Sequence, residues 1–155
     1  MDKTEWSGSD ADRPLTKEGV RKMKKGAKGL RRLDVNLDWI LTSPYRRAYD
    51  SALIVAKEMK LKKNLKVTRT LTPEGDPKAL LRHLGTHYRS WESVLLVGHE
   101  PYLSRLISML IAGRHDTGLL MDKGGLAKMS VPSLAYDQCA TLEWLLTSKI
   151  LKNIV

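Results

Sequence analysis

The chain has 155 residues, 42% of them hydrophobic and 28% charged, which suits one soluble globular domain and argues against a disordered chain. Its one cysteine, Cys139, excludes an intrachain disulfide and fits a reducing compartment, and with neither a secretion leader nor an apolar run long enough for a bilayer the expected location is cytoplasmic. The 27 Lys+Arg against 17 Asp+Glu leave a net charge of +10; no aromatic stacking cluster accompanies that charge, so the expectation is no nucleic acid and no membrane, with a basic face that can steer an acidic partner.

Met1 to Asp12 is polar and reads as a loop. Thr16 then offers an N-cap with Glu18 in the first turn, and Val20, Met23, Ala27, Leu30 and Leu33 recur at helical spacing among the basic residues of Lys17 to Arg32. Trp39 to Thr42 reads as a strand that hands over at Ser43-Pro44, an N-cap and N1 pair, to a second helix carrying Ala48, Ala52, Val55 and Met59 on its inner side. Lys66 to Arg69 is a weak strand, Leu71 to Asp76 a loop, and Asp76-Pro77 opens a third helix. Val94 to Val97, four aliphatic residues in a row, reads as a strand buried on both faces, followed by a helix from about Pro101 to Ala112. Gly113 to Gly125 is irregular, and Leu126 to Val131 and Ala140 to Leu146 read as two antiparallel strands. Alternating strands and helices predict a mostly parallel sheet covered on both faces.

Two strand-to-helix turns share one layout, Thr42-Ser43-Pro44-Tyr45-Arg46-Arg47 and Val97-Gly98-His99-Glu100-Pro101. Each sets a phosphate-competent side chain beside a helix N-terminus, where unpaired N–H groups and the helix dipole favour an anion. Arg47 offers a planar fork and His99 a ring N–H, which together suit a phosphoryl group. The competing reading of His99, a histidine capping a turn, weakens once Arg47 occupies the matching turn.

The motifs Asp12-Arg13-Pro14-Leu15-Thr16-x-x-Gly19, Ser43-Pro44-x-x-Arg47-Ala48, Leu71-Thr72-Pro73-x-Gly75-Asp76 and Val97-Gly98-His99-x-Pro101 follow one another in the order and spacing of SixA-type phosphohistidine phosphatases. From about Asp10 to its C-terminus the chain thus resembles that branch of the histidine phosphatase superfamily, whose domains are phosphoglycerate mutase-like. The resemblance implies a three-layer α/β/α sandwich that removes a phosphoryl group through a phosphohistidine intermediate, with no cofactor and no metal. It implies that Arg47 and His99 are catalytic and hold the transferring group, with Ser43 and Gly98 as substrate-binding positions on the same turns. Arg13 resembles a residue at the pocket mouth, with a structural ion pair as an equal alternative. Glu74 is the nearest candidate for a general acid, which an imidazole leaving group makes less necessary. The implied substrate is a phosphohistidine-bearing signalling or phosphotransfer protein, and the pocket should take inorganic phosphate or another oxyanion.

One family feature has no counterpart. Members begin with a strand ending in Arg-His-Gly or Arg-His-Ala, whose histidine is the nucleophile, and nothing ahead of Asp12 matches it. The expectation is a single histidine phosphatase domain over residues 1–155, N-terminally truncated relative to the family and without its first central strand. A start inside a longer reading frame accounts for this, and is favoured because Arg47 and His99 remain in place. The alternatives are a non-catalytic phosphate-binding or interaction relative, and a small-molecule phosphomonoesterase, for which Gly113 to Gly125 offers little material for a lid.

Other residues carry less. His83 and His87 have the spacing of metal ligands on one helix face but neither an intervening glutamate nor a third partner. Cys139 reads as core, Gly124-Gly125 as a turn, and Trp6, Trp39, Trp91 and Trp144 as packing residues.

Overall fold

The computed structural model describes residues 5–154. Its elements are α1 (Lys17–Arg32), β1 (Trp39–Thr42), α2 (Arg46–Glu58), β2 (Leu65–Val67), α3 (Pro77–His87), β3 (Val94–Val97), α4 (Tyr102–Ala112), β4 (Leu126–Ser130), β5 (Thr141–Leu146) and α5 (Ser148–Leu151). The expected Met1 to Asp12 loop lies partly outside the described residues, and its end, Asp10–Asp12, forms a 3-10 turn.

The first helix starts where its cap residue dictates: Thr16 Oγ1 accepts from the Gly19 N–H at 2.9 Å, satisfying one of the orphan donors of the first turn. Asp76 does the same for α3 by accepting from the Lys78 N–H at 2.9 Å. Two other starts differ from expectation. Ser43-Pro44 does not cap α2, because Tyr45 is still extended at ψ 131° and the helix begins at Arg46. Pro101 precedes α4, which begins at Tyr102.

β1 is the middle of a parallel three-stranded sheet in the order β2-β1-β3, and β4 and β5 form an antiparallel pair. One face of the sheet packs on α1 and α2, where Ala27, Leu30, Ile40, Ala52, Val55 and Ala56 make one core cluster. The other packs on α3 and α4 around Leu41, Leu80, Leu81, Leu106 and Leu110, so the architecture is the expected α/β/α sandwich.

β3 departs from the reading of a fully buried strand. Val94 and Leu96 meet the α3/α4 cluster and Leu95 and Val97 the α1/α2 cluster, yet all four stay partly exposed. The cause is the topology: β3 pairs with β1 alone, so its other edge is unpaired among the described residues. β4 straddles the same two layers, with Leu126 in one cluster and Met129 in the other, but shares no ladder with β3. The sheet is therefore split between β3 and β4.

Candidate functional site

The parallel register that aligns Thr42 with Val97 continues one step further, the Ser43 N–H donating to the Val97 carbonyl at 3.0 Å. This lays the two turns side by side. Gly98 sits where a Cβ would come within 3.3 Å of the Leu71 carbonyl oxygen and 3.5 Å of Leu103, so a side chain there would press on Leu71 and Leu103. The next residue, His99, is buried, and its Nε2 shares a hydrogen bond with the buried Ser43 Oγ at 2.8 Å. Tyr45 closes the other side, its ring edge-on to the imidazole with centroids 4.9 Å apart and its hydroxyl 3.5 Å from Glu74 Oε2.

Burial holds His99 below the ordinary histidine value, and the Arg47 charge pushes it the same way, against smaller upward pulls from Asp10 and Glu74. The imidazole is thus poised as a neutral donor or acceptor, its role fixed by the direction of the Ser43 proton. The helix ends beside it differ. At α4 the Glu100 carboxylate already accepts from the Ser104 N–H at 3.0 Å, correcting the expectation that both helix N-termini are open to an anion. At α2 the Ser43 hydroxyl accepts from the Tyr45 N–H at 3.2 Å, and the Arg46 and Arg47 N–H groups have no partner among the described residues. At α4 the Tyr102 N–H alone is left without a partner among the described residues, so the α2 end keeps the larger set of free donors.

Arg47 leaves this helix end for a partner that sequence reasoning missed. Its Nη1 donates to the Asp10 carbonyl at 2.7 Å and its Nη2 to Asp10 Oδ2 at 2.9 Å. Arg13 donates through Nε and Nη2 to the other oxygen, Oδ1, at 3.1 and 3.0 Å. The ion-pair alternative for Arg13 is the one the geometry displays, and that pair is tied to Arg47 through Asp10. The Arg13 bonds, then those from Arg47, hold the Asp10 carboxyl below the usual carboxylate range. Beside this cluster opens a cleft of ≈ 370 Å³ lined by Ala11, Asp12, Pro44, Tyr45, Arg69 and Thr72.

Arg47, His99, Ser43 and Gly98 are thus brought together, Glu74 sits at the rim through Tyr45, and Arg13 joins through Asp10. No signal marked Asp10, since its role depends on α2 folding back over a turn 37 residues away. Tyr45 was readable only as an unspecified position between Pro44 and Arg47. The remaining candidates lie elsewhere. His83 and His87 stack on each other along α3 at 4.2 Å, and Cys139 packs against the α3/α4 cluster just ahead of β5. Gly124 makes its turn with φ 79°. Trp39 does pack, edge-on to Tyr88 at 5.6 Å, but Trp91 is 73% exposed under the Arg89 guanidinium and is not a core residue.

Comparison with known proteins agrees with this fold. Residues 2–72 match the sequence profile of the histidine phosphatase superfamily (branch 1). The chain is 34% identical over 122 residues to an uncharacterized protein of Picosynechococcus, covering 76% of this chain and 71% of that one. It is 30% identical over 108 residues to the phosphohistidine phosphatase SixA of Escherichia coli, covering 69% and 67%. In three dimensions it superposes on the protein histidine phosphatase SixA complexed with tungstate with a TM-score of 0.78 at 24% identity, over 94% of this chain and 90% of that one. A parallel sheet with paired strand-to-helix turns, and sequence identity spread over two thirds of the chain, carry one conclusion: the chain belongs to the histidine phosphatase superfamily, in its SixA-type branch.

Proposed function

We propose that this chain is one phosphatase domain acting on phosphohistidine, with Arg47 and His99 holding the phosphoryl group. What carries the reading is the side-by-side placement of the two turns, which sets a buried neutral imidazole next to a helix N-terminus with free N–H groups. Phosphoryl transfer needs positioning and cationic donors around the equatorial oxygens more than it needs covalent chemistry from the protein. The Arg47 guanidinium is such a cation, and the Arg46 and Arg47 N–H groups and the neutral His99 ring add uncharged donors. Ser43 orients the imidazole, and Gly98 lets its turn lie close to Leu71 and Leu103.

In this reading the attacking histidine stands on a strand that lies upstream of residue 1 and fills the gap between β3 and β4. A ring nitrogen attacks phosphorus in line, the P–N bond to the substrate imidazole breaks, and that imidazole leaves carrying a proton. Water then cleaves the phosphohistidine of the enzyme, releasing inorganic phosphate. The basic face of α1 supports a protein substrate with an acidic surface, and the modest Gly113 to Gly125 segment supports an open site over one closed on a small molecule.

The test is to extend the chain with its upstream coding sequence and to measure release of phosphate from a phosphohistidine protein. Turnover by the extended protein, lost in its Arg47→Ala and His99→Ala variants, is the expected result. Oxyanion binding without turnover in the natural full-length product would instead establish the non-catalytic relative. That second reading draws on the sequence itself, in which residues 1–155 hold no Arg-His-Gly or Arg-His-Ala triplet.

A further inference from the structure

The arginine proposed to bind phosphate is already bound to an anion. Asp10 takes four hydrogen bonds from two guanidinium groups, one oxygen of its carboxylate serving Arg13 and the other Arg47, while its carbonyl accepts a second N–H of Arg47. Both terminal nitrogens of Arg47 are thus engaged, and the fork that would meet a phosphoryl group end-on faces Asp10. The electrostatic balance is incomplete, since one carboxylate stands against two cations.

Exposure shows which member of the cluster can leave. The Arg47 and Arg13 side chains are 24% and 18% exposed, whereas that of Asp10 is 48% exposed. The carboxylate rides on the short Asp10–Asp12 turn, held by the Ser9 hydroxyl, which accepts from the Asp12 N–H and donates to the Asp12 carboxylate. Asp10 can swing to solvent without opening the core. The arginines, anchored at the start of α2 and just ahead of α1, cannot. The negative charge of Asp10 also reaches His99, so it stands in the same field as the proposed phosphoryl ligands.

We infer that Asp10 is a resident anion of the Arg13–Arg47 pair, displaced when a dianionic phosphoryl group binds, and that it thereby sets the affinity and charge selectivity of the pocket. The inference rests on the reading of Arg47 as a phosphoryl ligand. A monoanionic carboxylate offered from solution would only exchange like for like with Asp10, whereas a phosphate dianion brings more charge and more acceptor oxygens to the same two guanidinium groups. Asp10 is then a specificity-determining residue: it excludes carboxylates and weakens phosphate by a constant factor.

The experiment is calorimetric titration of the protein with inorganic phosphate and, separately, with acetate. Asp10→Asn and Asp10→Ala should each bind phosphate about three- to tenfold more tightly than the unaltered chain, as expected for removing an exposed competing ion pair. Acetate binding should become measurable in both variants and not in the unaltered chain. Adding Arg47→Ala should abolish both gains. Unchanged or weaker phosphate binding in both variants overturns the inference and leaves Asp10 as a residue that merely orders the arginines. If Arg47→Ala alone leaves phosphate affinity untouched, the phosphoryl-ligand reading fails and takes this one with it; if it weakens affinity while the Asp10 variants do not tighten it, this one fails alone. A measurement free of variants follows the Asp10 side-chain carboxyl carbon by NMR. Its resonance should move toward that of a solvated carboxylate as phosphate is added, and a stationary resonance at phosphate saturation also overturns the inference.

Discussion

Ser43 and His99 hold each other in place through one hydrogen bond in a dry pocket, and the ionisation of the ring is the property most open to test. Burial first and Arg47 second lower the value of His99, while Asp10 and Glu74 raise it. An NMR titration should therefore find it below the ordinary 6.5. Arg47→Ala should raise it, and Glu74→Gln should lower it further; a shift of opposite sign in either variant rejects this account. The sign for stability follows. With the folded value depressed, unfolded chains bind more protons, so the contribution of His99 is complete above about pH 6.5 and is lost as pH falls through the folded value. A second residue carries a stability penalty of its own: the Tyr102 hydroxyl is buried without a partner among the described residues, and burial pushes its ionisation up to about 12. Tyr102→Phe removes an unsatisfied polar group from the core, and chemical denaturation should show a gain of about 1 kcal/mol. A loss would mean that the hydroxyl finds a partner in solution.

At the level of elements, cap chemistry and apolar periodicity carried most of the information. Thr16 and Asp76 announce α1 and α3 because a side-chain oxygen three or two residues ahead of an orphan N–H is a local event, written in adjacent residues. α2 was misplaced by two residues for a non-local reason: Ser43, which looks like a cap, turns its hydroxyl to Tyr45 and His99, and His99 arrives from another strand. The same limit hid Asp10, whose arginine partner lies in another helix. Glu100 shows a cap that spacing did not reveal, since its carboxylate serves both the backbone and the hydroxyl of Ser104. Removing it by Glu100→Ala should cost about 1–2 kcal/mol in denaturant melts. No change in stability would show that the α4 end is satisfied by water and is as open to anions as that of α2.

Across the whole molecule, the split in the sheet was anticipated only by the family resemblance, through the missing first central strand, and not by composition and pattern. Four aliphatic residues in a row read as a strand buried on both faces, and β3 does contact both core clusters, but pairing is a property of neighbours that a run of Val and Leu does not specify. The ladder fixes which amides are affected. Ser93 and Val97 offer their carbonyls to Trp39 and Ser43 of the β1 side, so the alternating residues Val94 and Leu96 turn their N–H groups to the free edge. An unpaired edge of this kind is both a stability deficit and a template for pairing with another chain. In hydrogen exchange on residues 1–155, the amides of Val94 and Leu96 should exchange much faster than those of Leu95 and Val97, although all four belong to one short strand. Extension upstream with a two-sided apolar strand should protect Val94 and Leu96 while leaving the Leu95 and Val97 pairing with β1 unchanged, and should raise the melting temperature. Equal protection of all four amides in residues 1–155 would show that the edge is already paired, and the gap between β3 and β4 would then not be the seat of the nucleophile.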